Sequence, residues 1–254
     1  MKKLILIFFL LTFTMILSGY EMNTLIENPT AGILQRGEAE ISAKLFKNNG
    51  LIMGTRIGLF PRFMFGVSYG AERIVGNQDP VWHDRVEFNA KFRLIDETAK
   101  FPAVAIGYDS QGHGTYYKDA KRYDMKSKGF YLAASKNYLF LGNLGFHGGV
   151  NYSLETEDDD DDINLFAGID KSIGDVVVLL AEYDVAWNDN EDPDSESEID
   201  DKIKGLGKGY FNASFDIHFT DYLVVKFSFY DIFENREDTQ GSDRTISLLY
   251  YMKF

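Results

Sequence analysis

Several charged residues in this sequence fall at even spacings. Glu38, Glu40 and Lys44 form one such set, Glu87, Lys91 and Arg93 a second, and Glu182 and Asp184 a third. In an extended chain residues two apart share a face, so each set would present acid and base to one surface. Arg56, Arg85, Glu155, Asp170, Asp216 and Lys226 fit the same phase in their own segments. A confined surface carrying both signs calls for paired networks, because an unpaired charge removed from water is costly. Ion selectivity would ask for a lining of a single sign, and this lining is mixed.

Other residues suggest chemistry and have simpler accounts. His147 shares a face with Ser153 and Glu155, and His218 with Ser214 and Asp216. A Ser–His hydrolase could be drawn from them, but strand neighbours two apart merely share a face, and a triad is defined by geometry. The run Asp158–Asp162 and the stretch 188–201 concentrate oxygen ligands without the spacing of a calcium loop. Solvated acidic loops account for them. The glycines of 205–209 lack the strand-to-helix setting of a phosphate loop. No catalytic, cofactor-binding or metal-ligating residue is assigned, and an enzyme is not expected.

The elements that would position these charges are strands. In 85–95, Val86, Phe88, Ala90, Phe92 and Leu94 alternate with Arg85, Glu87, Asn89, Lys91 and Arg93. In 209–219, Phe211, Ala213, Phe215, Ile217 and Phe219 alternate with polar residues. The pattern recurs near 37–47, 50–60, 62–72, 85–95, 101–110, 128–138, 143–155, 162–172, 175–185, 208–219, 221–231 and 242–254. Most of these twelve stretches are as long as a tilted strand needs to cross a bilayer, about 9–11 residues, whereas strands in soluble domains are commonly 5–6. Two are ambiguous. Residues 128–138 carry aromatics on both faces. Residues 175–185 are apolar on both faces for half their length, from a plug contact inside the lumen or a bulge.

The connections sort into short turns at Pro61, 96–100, 139–142, 172–174 and 220–222, and mostly long, polar loops at 73–84, 111–127, 156–161, 186–207 and 232–241. Short turns on one side, long acidic loops on the other and an even strand count describe an all-β fold, a transmembrane antiparallel up-and-down barrel of about 12 strands. Charged residues of the polar face would line its lumen.

The two ends agree. Lys2 and Lys3 followed by the apolar run Leu4–Leu17 and then Ser18 and Gly19 read as a cleaved signal peptide, residues 1–19. Residues 20–36 show no strand pattern and are expected to pack into or across the periplasmic mouth, ahead of a barrel over 37–254. At the other end Ile246, Leu248, Tyr250, Met252 and Phe254 alternate to the last residue. Tyr250, Met252 and Phe254 form an expected recognition signal for barrel-assembly machinery, with outer-membrane lipid receiving the apolar face. Closure requires the last strand to pair with the first. The chain has no cysteine and a formal charge of −13, which argues against a nucleic-acid partner.

Residues Pro29, Thr30 and Ala31, the strand Lys91–Leu94 with Glu97 after it, Pro102–Ala105, Asp109–Gly114 and Ala134–Lys136 form an ordered set. This set resembles the YjbH-type exopolysaccharide outer-membrane barrels, whose longer members exceed a single twelve-strand barrel. The resemblance implies a bacterial outer-membrane location, extracellular polysaccharide as a partner and a non-enzymatic role in its production or export. It transfers no catalytic residue. The architecture alone supports a general small-solute porin or uptake channel as the alternative.

Overall fold

The computed structural model describes residues 21–158, 160–190, 205–236 and 242–254. The signal peptide reading and most of the acidic stretch 188–201 fall outside them. Fifteen strands follow in chain order: β1 Glu38–Phe46, β2 Gly50–Phe60, β3 Phe63–Glu72, β4 Val81–Trp82, β5 Glu87–Ile95, β6 Ala103–Asp109, β7 His113–Tyr117 and β8 Arg122–Met125. The rest are β9 Gly129–Leu139, β10 Asn143–Tyr152, β11 Asn164–Ile173, β12 Val177–Asp184, β13 Tyr210–His218, β14 Leu223–Tyr230 and β15 Asp243–Lys253. Each long alternating stretch of the sequence corresponds to one wall strand. The short β4, β7 and β8 lie within segments read as loops.

Every wall strand pairs antiparallel with its neighbours, and β1 closes on β15. The register at the seam sets Ala39 opposite Met252, Ile41 opposite Tyr250 and Ala43 opposite Leu248. The result is a closed twelve-strand barrel among the described residues. Closure answers the backbone N–H and C=O groups of every wall strand, the condition for a sheet in lipid.

Alternation decides the two faces. Ile41, Met53, Phe88, Phe92, Leu132, Phe146, Ile246 and Leu248 are exposed on the outer surface, whereas Glu40, Glu87, Lys91, Asp170, Glu182 and Asp216 are buried within. Exposed aromatic residues gather toward the short turns, at Phe60, Phe101, Phe140, Phe219, Tyr222 and Phe254. So broad an apolar exterior would be untenable in water and suits a bilayer. No helix among the described residues is long and apolar enough to cross a membrane; strands make the crossing. The chain is an outer-membrane β-barrel.

The structure settles both ambiguous strands. In β9, Phe130, Leu132 and Tyr138 face lipid, while Tyr131, Ala133 and Ser135 are buried inside. The β12 ladders run without a register shift, so no bulge is needed; Leu180 faces inward and packs against Leu25 and Ile26. Several boundaries move by two or three residues, and two of the shifts bear on the expected lumen charges. The strand expected over 143–155 stops at Tyr152, and that over 85–95 begins at Glu87. Arg85 and Glu155 therefore belong to the extracellular mouth and not to the wall.

Candidate functional site

Residues 21–34 enter the barrel from the side of the short turns and double back inside it. Asn23 and Thr30 pair through Thr30 N–H to Asn23 C=O, and Leu25 N–H reaches Asn28 C=O, closing a tight turn. This hairpin packs inside the lumen, deeper than the mouth-packing expected of residues 20–36. Leu25, Asn28, Thr30, Ala31 and Leu34 are fully buried. Gly168 on the wall makes room for its tip: a Cβ there would lie 2.3 Å from the Leu25 side chain.

The wall holds the hairpin largely by its main chain. Glu182 accepts from the N–H groups of Ile26, Glu27 and Asn28 at 2.9–3.0 Å, and Asn212 donates to it at 2.8 Å. Three convergent amides around one carboxylate make a charge-assisted nest. Lys91 donates to the carbonyls of Asn23 and Gly32, the second at 3.0 Å. Arg93 donates twice to Ala31 C=O, at 2.9 and 3.0 Å, and pairs with Glu21. Lys226 donates to Leu25 C=O while facing Asp216 at 3.4 Å.

Side-chain recognition is added at three points. Asn23 donates to Glu40 at 3.0 Å, and Glu40 pairs with Arg56 at 2.8 Å. Glu27 meets Lys44 at 2.5 Å, accepts from Tyr230 at 2.8 Å and lies 3.5 Å from His113. Burial acts to raise the Glu27 carboxyl, but Lys44 and His113 outweigh it and hold the group well below the usual carboxylate range. Leu25 and Ile26 sit among Met125, Leu180, Ala186, Tyr210 and Tyr230.

Ser135 on β9 accepts from Ala31 N–H at 2.8 Å, contacts His147 Nδ1 at 2.8 Å, and His147 Nε2 lies 2.8 Å from Asp170. This Ser–His–Asp chain differs from the sets suggested by the sequence, which grouped His147 with Ser153 and Glu155. Its partners lie on adjacent strands, Ser135 directly opposite His147. With Ala31 N–H on the serine oxygen, the chain docks the hairpin; Asn143 also holds Asp170, at 2.9 Å.

The extracellular end is filled from above by the β7–β8 hairpin. Arg122 pairs with Asp158 at 2.5 Å and Asp189 at 2.8 Å, and Lys126 with Asp158 at 2.7 Å. Burial acts to lower the Arg122 guanidinium, but Asp189 and Asp158 more than reverse it and hold it above its ordinary value. Asp158 is thus buried, and Asp160, whose carboxylate accepts from Asn190 N–H at 2.8 Å, is buried beside it; for these two the expectation of a solvated loop is corrected, while Asp161 and Asp162 are exposed as expected. Tyr123 donates to Glu87 at 2.8 Å and its N–H reaches Glu155 at 3.0 Å; Arg85 reaches Glu87 at 2.6 Å. His113 stacks on Tyr230, ring centroids 3.7 Å apart, and touches Asp243 at 3.1 Å, joining the outer hairpin to the inner one.

All the charges assigned to the lumen from sequence are therefore placed. Glu40, Lys44, Arg56, Lys91, Arg93, Asp170, Glu182, Asp216 and Lys226 surround the inner hairpin; Asp184 pairs with Lys128; Arg85, Glu87 and Glu155 serve the outer hairpin; Glu38 lies at the rim, 3.7 Å from Lys253. A cavity of about 1280 Å³ remains around the inner hairpin, lined by residues such as Arg56, Asp109, Lys226 and His218 and reaching the short turns at Leu139, Gly174 and Thr220. Among the described residues no three His, Asp or Glu side chains are grouped to hold a metal ion.

No family model matches the chain, and no curated protein matches it. Among solved structures it is similar to the KdgM porin, at 6% identity and TM-score 0.48 over 84% of this chain and 98% of that one. It is similar to the NanC porin at 8% identity and TM-score 0.46, over 85% and 99%. The translocator domain of the autotransporter NalP from Neisseria meningitidis matches at 12% identity and TM-score 0.38, over 85% and 86%.

Proposed function

We propose that this barrel is a non-enzymatic outer-membrane channel for small polar solutes, held shut by its own residues 21–34 from the periplasmic side and by the β7–β8 hairpin at the extracellular end. The observation that carries this reading is the cavity of about 1280 Å³ running beside the hairpin, with charged side chains such as Arg56, Asp109 and Lys226 in its lining, and reaching the periplasmic turns. A barrel whose interior served stability alone would be filled by wall side chains; here a separable segment does the filling. Conductance in planar bilayers tests it. The full chain should conduct weakly, and a chain in which residues 21–34 are released and the β7–β8 hairpin is replaced by a short linker should conduct steadily. A silent barrel after both are opened would end the channel reading.

A second reading, assistance to polysaccharide export, is supported by one observation. The residues that carry the YjbH-type resemblance meet in space: Ala31 packs on Ala103 and Ala105, its carbonyl takes Arg93 and its N–H takes Ser135. Loss of surface polymer on deleting the gene, with no conductance in vitro, would favour this second reading over the first.

A further inference from the structure

We infer that the lumen is a peptide-binding site, occupied here in cis by residues 21–34, and that its ligand class is a short hairpin-forming peptide whose turn presents an aliphatic residue two positions before an acidic one. The inference rests on the channel reading only for what happens after binding. The chemistry of the wall carries it. Polypeptide backbone alternates donors and acceptors, and the wall answers both: Glu182 and Ser135 accept from N–H groups, while Lys91, Arg93 and Lys226 donate to carbonyls. Consecutive N–H groups from Ile26, Glu27 and Asn28 converge on one carboxylate. A polysaccharide does not present three adjacent amides in that spacing, whereas any peptide turn does. These wall residues read main chain, so they do not by themselves demand this hairpin.

Specificity comes from two pockets. Leu25 enters an apolar pocket of Leu180, Met125, Ala186, Tyr210 and Tyr230. Two residues on, Glu27 enters a cationic one formed by Lys44, with Tyr230 donating and His113 alongside. A neutral residue in the second pocket would leave Lys44 without its carboxylate, and a charged one in the first would be buried unpaired; both are costly. The linker at Gln35 and Arg36 is exposed, so the hairpin hangs from the barrel by an accessible tether. The tether supplies a high effective concentration, and severing it leaves binding to affinity alone.

The experiment uses the full chain with a site-specific protease site inserted between Gln35 and Arg36, folded and then cut. A fluorescent synthetic peptide of residues 21–34 is added, and uptake is followed by anisotropy, with the uncut chain as control. Uptake should appear only after cutting. Peptides carrying Leu25→Asp or Glu27→Gln should bind at least about tenfold more weakly, the loss expected for one hydrogen bond to a charged group. A scrambled peptide taken up equally well would overturn the proposal, as would a cut segment that stays in place under excess peptide. Parallel conductance separates the two readings. Conductance of a barrel with both hairpins opened, when the cut chain does not discriminate peptides, refutes this proposal alone, and discrimination of peptides with no conductance in that doubly opened barrel refutes the channel alone.

Discussion

Glu182 answers three main-chain N–H groups at once, so its removal should be felt at the hairpin before it is felt in the wall. Each buried donor left without an acceptor costs about 1–3 kcal/mol. In Glu182→Ala the residues Ile26–Asn28 should therefore lose their protection from amide hydrogen exchange while the ladders of β11–β13 keep theirs. Equal protection in variant and parent would mean the tip is held by Lys226 and the apolar pocket instead. Glu27 sets the pH response. Its carboxyl is held below its ordinary value of 4.5 when docked, so its contribution is complete above that value and fades only as pH falls beneath it. A label on Thr24→Cys should report a docked hairpin from pH 8 to pH 5, with release confined to stronger acid. Release between pH 7 and 5 would mean that the Glu27 carboxylate is not what sets the docked state. Ser135, its oxygen already accepting from Ala31, should not react with a serine-directed phosphonate; labelling there would make the Ser–His–Asp chain a nucleophilic centre.

The strands were legible because one physical rule, opposite faces for alternate residues, acts within each segment without reference to any other. It gave the lipid face as well as the lengths. Phe88→Arg or Phe215→Arg should weaken insertion by about 2–4 kcal/mol, read as loss of heat-modifiable folding in vesicles. Asn212, also inward, is less tolerant than its polarity suggests, since it holds Glu182 and accepts from Asp231 N–H. The inner hairpin was less legible because its contacts are made by main-chain atoms, which look alike at every residue. One signal did betray it. Val178 and Leu180 put apolar side chains on a face that elsewhere is polar, and both pack with the hairpin tip. The Ser135–His147 contact was hidden for a different reason: it crosses between strands, and register is invisible in a single segment. The buried acid at 158 needed Arg122 and Lys126, brought to it by a short hairpin inside a segment read as loop.

At the scale of the whole molecule the fold depends on one seam, because a β-sheet in lipid has no tolerable edge. β1 and β15 meet although their paired residues lie more than 200 positions apart in the chain, and nothing local joins them; closure must be completed by the C-terminal strand. Phe254 reaches back across the seam, its N–H donating to Gly37 C=O at 2.8 Å, while its side chain stands 75% exposed at the rim. The side chain is thus free for recognition while the backbone locks the register. Deleting Phe254, or replacing it with Asp, should slow assembly and leave aggregated or degraded chain in the periplasm, with export across the inner membrane intact. The seam itself is checked with paired cysteines, in a chain that has none of its own. Ile41→Cys with Tyr250→Cys and Ala43→Cys with Leu248→Cys stand directly opposite in the register, where Cβ atoms are about 4.5–5.5 Å apart. These pairs should cross-link on oxidation. Ile41→Cys with Leu249→Cys should not, because a one-residue slip turns the second thiol into the lumen. Cross-linking of the slipped pair in preference to the matched ones would mean the barrel closes in another register, and the lumen charges around the hairpin would have to be reassigned with it.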